Sequence, residues 1–171
     1  RDKNHPSVIA WSLLNEPQCT SAGTEEYFKP LFELARRLDP QKRPRTYTVL
    51  MTSLPDTSRG QRFADFVSLN RYYGWHGRPL IFTEYGTDNL SGAHKLPSVM
   101  WSAEYQNEYL EMTHAVFDHY DFVQGELVWN FADFQTTEGI LRVDGNKKGL
   151  FTRDRRPKLG MHFLRQRWAE I

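Results

Sequence analysis

Short apolar runs alternate along the chain with longer segments in which apolar residues recur at helical spacing. Residues 8–14 form a nearly continuous apolar run, which is typical of a parallel strand covered on both faces. Further strands are predicted at 45–51, 63–69, 80–83 and 122–128, and helices at 24–38, 102–119 and 157–168. Strands that alternate with helices indicate an α/β fold built from parallel βα units.

The predicted helices carry recognisable start and stop signals. Thr24 is the expected N-cap of the first helix, and Asp39-Pro40 ends it. Pro157 marks the start of the last helix. The second helical stretch carries the apolar and aromatic residues Tyr105, Tyr109, Met112, Val116 and Phe117.

Composition narrows the class of protein. Lysine and arginine number 22 against 21 acidic residues, so the overall charge gives no reason to expect nucleic acid or an anionic membrane as a partner. No apolar run approaches the roughly 18–20 residues of a membrane span. The single cysteine, Cys19, excludes an internal disulfide, and the six histidines lack the spacing of metal ligands. We therefore expect no metal or other cofactor, no nucleic acid and no membrane.

A basic cluster precedes the last helix. It consists of Arg153, Arg155, Arg156 and Lys158. Because no aromatic platform for nucleic acid bases is interleaved with these cations, we interpret the cluster as solvated surface.

Two glutamates, Glu16 and Glu84, each come at the carboxyl end of a predicted strand. A (β/α) barrel places its chemistry at these ends, whereas no glycine-rich phosphate loop supports an open doubly wound sheet. Glycoside hydrolysis needs two carboxyl groups, about 5–5.5 Å apart for retention and roughly 6.5–9.5 Å apart for inversion. On position alone, however, a pair of solvated or ion-paired loop acids is the more common explanation.

Longer motifs around both glutamates change that interpretation. The segment 11–17, which contains Asn15-Glu16-Pro17, resembles the acid/base signature of family 2 glycoside hydrolases, and 82–86 resembles their nucleophile signature. Within that family the chain closely resembles β-glucuronidases. The other matching motifs are Arg1-Asp2-Lys3-Asn4-His5-Pro6, Asn70-Arg71-Tyr72-Tyr73-Gly74-Trp75, the run 129–134 and the run 145–153.

The resemblance implies a specific fold and mechanism. The fold would be a partial TIM (β/α)8 barrel of roughly strands 4 to 8, with residues 1–171 forming the C-terminal portion of the catalytic domain. Glu16 would be the acid/base and Glu84 the nucleophile of a retaining, double-displacement hydrolase. The substrates would be β-glucuronide small molecules or glycan ends, and the family suggests a homotetramer.

The resemblance also assigns substrate-binding roles. Asn15 would bond the 2-hydroxyl of the sugar, Tyr72 would hydrogen-bond the nucleophile, and Trp129 would form an aromatic wall. Tyr73 is a further candidate whose alternative role is packing. A core tryptophan and a locally bonded asparagine are the alternatives for Trp129 and Asn15.

The segment 145–149 is predicted to decide the substrate. Glucuronides carry a carboxylate at C6, and an amide with a cation can bind it by charge-assisted hydrogen bonds. The resemblance assigns this task to Asn146 and Lys148, with Arg142 as a candidate second cation. On spacing alone the segment is typical of a solvated turn. Lys147 should point elsewhere, because neighbouring side chains of an extended segment diverge.

The chain also departs from the family pattern. It starts without Met near the fourth barrel strand, so we expect a fragment. The link 70–79 has ten residues, fewer than the dozen or so of a usual parallel crossover, which predicts displaced strands or a deletion. Two alternatives to a β-glucuronidase stay open. One is a family relative that acts on a galacturonide or β-galactoside, and the other is an inactive carbohydrate-binding or assembly piece.

Overall fold

The structure is a computed structural model that describes residues 4–50, 57–70, 80–140 and 142–170. The chain divides into two compact units. The first comprises residues 1–83 and 122–126, and the second comprises residues 84–121 and 127–171. The first unit contains most of the sheet, and the second contains two of the helices.

The elements follow the order expected from the apolar pattern. They are β1 (Trp11–Asn15), α1 (Thr24–Leu38), β2 (Arg45–Val49), a 3-10 helix (Gln61–Phe63), β3 (Val67–Asn70), β4 (Leu80–Tyr85), α2 (Ala103–His119), β5 (Val123–Val128) and α3 (Leu159–Ala169). The strands are ordered β1-β2-β3-β4-β5, and β1–β2 and β2–β3 pair in parallel. Strands that neighbour each other in sequence order are what successive βα units produce. The predicted α/β fold is confirmed.

The short link between β3 and β4 does not change their order. The two strands are neighbours in the sheet, and displacement of the strands or a deletion in the link stays a prediction. Residues 71–79, which form the link, lie outside the described residues.

An aromatic core holds α1 against the sheet of the first unit. All five residues of β2 are buried, as expected for a central strand covered on both faces. Phe28 and Phe32 of α1 lie edge-on to Tyr47 of β2, with ring centroids 4.8 and 6.2 Å away. The parallel register of Trp11 with Arg45 then brings the carboxyl ends of β1 and β2 to the same edge.

A buried ion pair ties the end of α1 to the start of β1. Asp39 accepts a bond of 2.7 Å from Arg43 Nη2 and one of 3.2 Å from Trp11 Nε1. The Arg43 guanidinium lies 4.6 Å from the centre of the Trp11 ring. Hydrogen bonds from Arg43 hold the pKa of Asp39 well below its usual range.

The second unit is built on the contact between α2 and α3. Leu110 and Leu164 are 1% and 0% exposed at this contact. Tyr85, at the end of β4, lies against α2, where its ring centroid is 5.2 Å from that of Phe117. Its hydroxyl shares a hydrogen bond of 2.9 Å with His114 Nε2. The side chain of Tyr85 therefore points toward the helices.

One detail of the predicted helices is wrong, and the buried face of α2 includes a polar residue. Thr24 is the first residue of α1, and the N-cap is Gly23. Met112 and Val116 of α2 are 71% and 54% exposed, whereas polar His114 is buried. The buried face accepts His114 because its ring is hydrogen-bonded there. Within the described ranges, no helix combines the length and apolar character that crossing a membrane requires.

Candidate active site

In the first unit, the chain turns sharply where β1 ends. Glu16 has a φ of 48°, in the left-handed region that residues other than glycine seldom occupy. Its N–H donates to the carbonyl of Thr48 at 2.9 Å. The side chains of Asn15 and Glu16 are exposed. The turn thus presents both predicted site residues at the carboxyl ends of β1 and β2.

Asn70 links the carboxyl ends of three strands. It ends β3 and is 3% exposed. Its Nδ2 donates to Asn15 Oδ1 at 3.2 Å and to Glu16 Oε1 at 3.0 Å. Its Oδ1 accepts from Thr83 Oγ1 of β4 at 2.8 Å. The predicted acid/base and the predicted 2-hydroxyl ligand are therefore held side by side by one buried amide.

In the second unit, the backbone after Glu84 is tied to the end of β5. The carbonyl of Tyr85 accepts from the Trp129 N–H at 2.8 Å. Gly86 has a φ of 148°, and a Cβ there would overlap the carbonyl oxygen of Trp129, so only glycine permits this approach. Since Tyr85 points toward α2 and adjacent strand residues face opposite ways, Glu84 points away from the helices.

Trp129 lies next to the segment 145–149. Its side chain is 36% exposed, and its ring centroid is 6.1 Å from that of Phe134. The following Asn130 N–H donates to the carbonyl of Lys148 at 3.2 Å. The predicted aromatic wall and the predicted carboxylate-binding residues thus lie in one neighbourhood, with an accessible tryptophan face.

The segment 145–149 is not a solvated turn. Asn146 is 4% exposed, and only 14% of the Lys148 side chain is exposed. Asn146 Oδ1 accepts from the Lys148 N–H at 3.0 Å. This bond uses the oxygen of the amide, and no described contact engages its NH2 group, a donor that suits an acceptor such as a carboxylate.

Asp88 gathers the cations of this region. Its Oδ2 binds Lys148 Nζ and lies 3.7 Å from Arg142 Nη1. Its Oδ1 accepts from the Lys147 N–H at 3.1 Å, while the Lys147 side chain turns away to Asp144 at 2.5 Å. The prediction that Lys147 points elsewhere is consistent with this geometry, and Arg142 and Lys148 share one acid.

The burial of Lys158 contradicts the prediction that the whole basic cluster before α3 is solvated surface. The sequence predicts that Lys158 is solvated together with Arg153, Arg155 and Arg156, yet it is 5% exposed while the three arginines are exposed. Its Nζ donates to Asp133 Oδ1 at 2.7 Å. Nothing in the sequence distinguishes this lysine from its basic neighbours, because its partners come from distant segments.

The structure brings the predicted residues together in two groups. Asn15 and Glu16 lie together in the first unit. The group in the second unit comprises Trp129, Arg142, Asn146 and Lys148, and Glu84 precedes Tyr85, whose carbonyl accepts from the Trp129 N–H. Tyr72 and Tyr73 lie outside the described residues.

Sequence reasoning gave no role to Asn70, Thr83, Asp88, Asp133 or Lys158. Asn70 and Asp88 could have been noticed because each stands at or just beyond a strand end. In the ranges that the structure describes, no group of three or more His, Cys, Asp or Glu side chains could hold a metal ion.

Comparisons with known proteins decide the family. The sequence model described as "Glycosyl hydrolases family 2, TIM barrel domain" matches residues 1–171. The chain belongs to family 2 of the glycosyl hydrolases. The fold of this family 2 chain is accordingly the partial (β/α)8 barrel that the sequence predicted.

Several relatives of this family 2 chain have curated names. It is 45% identical to a β-glucuronidase of Paenibacillus borealis and 38% identical to one of Rattus norvegicus, in each case over 100% of this chain and 32% and 30% of the relative. The alignment with the Paenibacillus protein runs over 195 positions against the 171 residues here, a difference of 24. Because all of this chain is covered, 24 positions of that alignment have no residue in this chain.

Solved structures agree with the family assignment. A crystal structure of Ruminococcus gnavus β-glucuronidase is 51% identical with a TM-score of 0.93, over 100% of this chain and 33% of that one. The same enzyme in complex with D-glucuronic acid is 52% identical with a TM-score of 0.92, over 98% of this chain and 34% of that one. The family 2 chain spans about a third of the length of these relatives.

Proposed function

We propose that this chain is the C-terminal portion, residues 1–171, of the catalytic barrel of a retaining β-glucuronidase. The enzyme would release glucuronic acid from β-D-glucuronides, with Glu16 as acid/base and Glu84 as nucleophile. The named relatives, which are β-glucuronidases across both comparisons, support this proposal. The assembled enzyme would be a homotetramer, which light scattering on the full-length protein tests.

The observation that carries the proposal is the cation cluster in the unit that contains Glu84. Arg142 and Lys148 approach the same carboxylate, Asp88, and Asn146 keeps its NH2 group for another acceptor. A sugar carboxylate meets the same donors by charge-assisted bonds, whereas the CH2OH group of a galactoside or glucoside does not. The Ruminococcus relative was solved with D-glucuronic acid, which is the product expected here.

The chemistry proceeds in two displacements. In the first, Glu84 attacks the anomeric carbon while Glu16 donates its proton to the glycosidic oxygen, so the aglycone leaves as an alcohol and the sugar becomes an ester of Glu84. In the second, Glu16 takes a proton from water as the water attacks the anomeric carbon and breaks that ester. Both residues return to their starting protonation states, and the configuration at the anomeric carbon is retained.

Asn15 and Trp129 would act on the sugar in both steps. The bond from Asn15 to the 2-hydroxyl strengthens as the sugar approaches the oxocarbenium-like transition state. Asn70 holds Asn15 Oδ1 at 3.2 Å, so the NH2 group of Asn15 faces away from that contact. Tyr72 and Tyr73 are proposed as further ligands around Glu84 from the family resemblance alone.

Mechanism-based labelling tests the proposal. The full-length encoded protein is incubated with 2-deoxy-2-fluoroglucuronyl fluoride, whose 2-fluorine slows hydrolysis of the glycosyl ester, and peptides are analysed by mass spectrometry. We expect a covalent sugar on the peptide that contains Glu84, and none in the Glu84→Gln variant. The glucosyl counterpart, in which CH2OH replaces the carboxylate, is the matched control for the carboxylate, and the galactosyl counterpart tests the alternative substrate.

Each outcome distinguishes the candidate functions. Labelling by the galactosyl reagent at an equal rate would contradict the glucuronide assignment but keep the hydrolase. Labelling on a residue other than Glu84 would contradict the residue roles. Binding of glucuronic acid without labelling or turnover would indicate an inactive carbohydrate-binding protein.

A further inference from the structure

Lys158 is a buried cation that the proposed chemistry leaves without a role. It is the N-cap residue of α3 and is 5% exposed, which is unusual for a lysine. Burial lowers the pKa of Lys158, and the Asp133 carboxylate opposes that shift. A buried charge of this kind is retained only where it is paired and hydrogen-bonded.

The ammonium group of Lys158 meets three acceptors. These are Asp133 Oδ1 at 2.7 Å, the carbonyl of Asn89 at 2.8 Å and the carbonyl of Lys147 at 3.0 Å. An ammonium group has three hydrogens, so this set of acceptors satisfies it. The three acceptors come from three segments: Asn89 follows β4, Asp133 follows β5, and Lys147 precedes α3.

One of these contacts acts on the predicted carboxylate-binding segment. Lys147 stands between Asn146 and Lys148, and its carbonyl also accepts from the Asn89 N–H at 3.0 Å. Its own N–H donates to Asp88 Oδ1 at 3.1 Å. Both backbone groups of residue 147 are thus fixed, and its carbonyl is fixed in part by Lys158.

Asp133 fixes the other side of the same segment. Its Oδ1 accepts from the Gly149 N–H at 3.0 Å as well as from Lys158. A Cβ at Gly149 would lie 2.5 Å from the carbonyl oxygen of Phe151, so the segments approach as closely as glycine allows. The ion pair of Lys158 and Asp133 therefore bonds the segment at residues 147 and 149, on both sides of Lys148.

We propose that Lys158 is a positioning residue for recognition of the sugar carboxylate. By binding Asn89, Asp133 and Lys147 together, it sets the distance between Asp88 and the segment that carries Asn146 and Lys148. That distance in turn sets the direction from which the side chains of Asn146 and Lys148 approach the sugar carboxylate. This inference rests on the proposed function, because it takes Asn146 and Lys148 as the ligands of the substrate.

An ion pair suits this task better than apolar packing would. Replacing a buried ion pair with apolar residues of similar volume is often neutral or stabilising, so stability alone does not account for a buried lysine here. Three directional bonds from one nitrogen fix the geometry of three backbone segments, which apolar contacts do not. Recognition of a carboxylate by two donors requires that geometry, since a misplacement of about 1 Å can cost up to about 100-fold.

The test compares ligands with and without the carboxylate. Lys158→Met and the double variant Lys158→Met/Asp133→Asn are made in the full-length encoded protein, with Lys147→Met as the matched control. Lys147→Met removes a nearby lysine side chain but keeps the carbonyl that Lys158 binds. Calorimetry measures the binding of D-glucaro-1,5-lactone, which carries the carboxylate, and of D-glucono-1,5-lactone, which does not.

We expect Lys158→Met to weaken binding of the carboxylate-bearing lactone about 10- to 100-fold, with less than about a threefold change for the neutral lactone. On a glucuronide, KM should rise more than kcat falls. The double variant leaves no unpaired buried carboxylate, so it should fold as the parent does and show the same selective loss. Lys147→Met should bind both lactones as the parent does.

Several results would overturn the inference. The first is an equal loss of affinity for both lactones, and the second is a folded double variant that keeps the parental ratio of the two affinities. The third is failure of both variants to fold, which would make Lys158 a purely structural residue. The fate of the proposed function is separate, because binding is measured without turnover. If the unsubstituted protein binds the carboxylate-bearing lactone selectively but hydrolyses no glucuronide, the proposed function is contradicted. The inference is still tested in that case by the ratio of the two lactone affinities in the variants.

Discussion

Asn70 holds Glu16 through a hydrogen bond of 3.0 Å from its Nδ2 to Glu16 Oε1. Asn70 is itself fixed, because it is 3% exposed and its Oδ1 accepts from Thr83. An exposed glutamate at a strand end would otherwise sample several rotamers. The bond therefore restricts the direction of the carboxyl group that is proposed to protonate the leaving oxygen.

The first prediction concerns Asn70→Ala. Glu16 becomes a carboxylate as it gives up its proton, and a hydrogen bond to a charged group is worth about 1.5–3 kcal/mol, so we expect kcat/KM on glucuronides to fall about 10- to 100-fold. The loss should be larger for an alkyl glucuronide than for a 4-nitrophenyl glucuronide, because a poor leaving group depends more on the general acid. Steady-state kinetics on the two substrates measures this difference.

Ser68→Ala is the matched control for Asn70. Ser68 lies on the same strand, is buried, and accepts a hydrogen bond from Thr46 at 3.2 Å, yet no described contact joins it to Glu16. The control should keep parental kinetics on both substrates. An Asn70→Ala variant that loses the two substrates equally would show that Asn70 supports the fold and does not orient the acid.

The second prediction concerns the two adjacent lysines. Lys148→Met should reduce glucuronide hydrolysis by several kcal/mol of transition-state stabilisation, because it removes the charge that is proposed to bind the sugar carboxylate. Lys147→Met should have little effect, since that side chain turns to Asp144 on the exposed side. Values of kcat/KM for the two variants, measured side by side, check the assignment, and equal losses would contradict it.

Much of the architecture was accessible from the sequence. The bounds 24–38 predicted for α1 are those observed, because an unbroken helical spacing of apolar residues ends at Asp39-Pro40. β1 was found because residues 8–14 form a nearly continuous apolar run, and β2 because Arg45–Val49 is rich in β-forming residues. Their ends were displaced by up to four residues, as for β3, which was predicted from 63 and begins at Val67. Residues 61–63 form a 3-10 helix instead, which apolar pattern alone does not separate from a strand.

The buried polar residues could not be predicted from the pattern. Gln106 and His114 occupy the buried face of α2, where they look like surface positions in the sequence. Gln106 is satisfied there by Asn89 and by the carbonyls of Thr87 and Gly149. These partners lie up to 43 residues away in the chain, and only the folded structure reveals them. The same reason hid the role of Lys158.

The third prediction concerns close backbone approach at Gly149. A Cβ there would overlap the Asp133 nitrogen and lie 2.5 Å from the Phe151 carbonyl oxygen. Because backbone cannot move aside as a flexible side chain can, Gly149→Ala should destabilise the fold by about 3 kcal/mol. Gly139→Ala is the matched control, since nothing lies within 4 Å of a Cβ at that position. Thermal unfolding of both variants checks this, and similar melting temperatures would contradict it.

The fourth prediction concerns the pH dependence of stability. His114 is 1% exposed, lies among the rings of Tyr85, Phe117 and Phe163, and burial lowers its pKa from 6.5 to about 4. The unfolded chain therefore binds a proton at His114 below about pH 6.5, whereas the folded chain does not until about pH 4. The free energy of unfolding should consequently fall as the pH drops from 6.5 toward 4, by at most about 3 kcal/mol.

Denaturant unfolding at pH 7.5, 6, 5 and 4 measures this loss. The variant His114→Gln keeps a side chain that can hydrogen-bond the Tyr85 hydroxyl but cannot titrate, so its stability should change less over the same range. The control is His94→Gln, because His94 has a side chain that is 65% exposed and bonds Glu104. Glu104 also has a lowered pKa, of about 2, but its contribution is lost only as the pH falls from about 4.5 toward 2. A His114→Gln variant with the parental slope between pH 6.5 and 4 would contradict the assignment of that slope to His114.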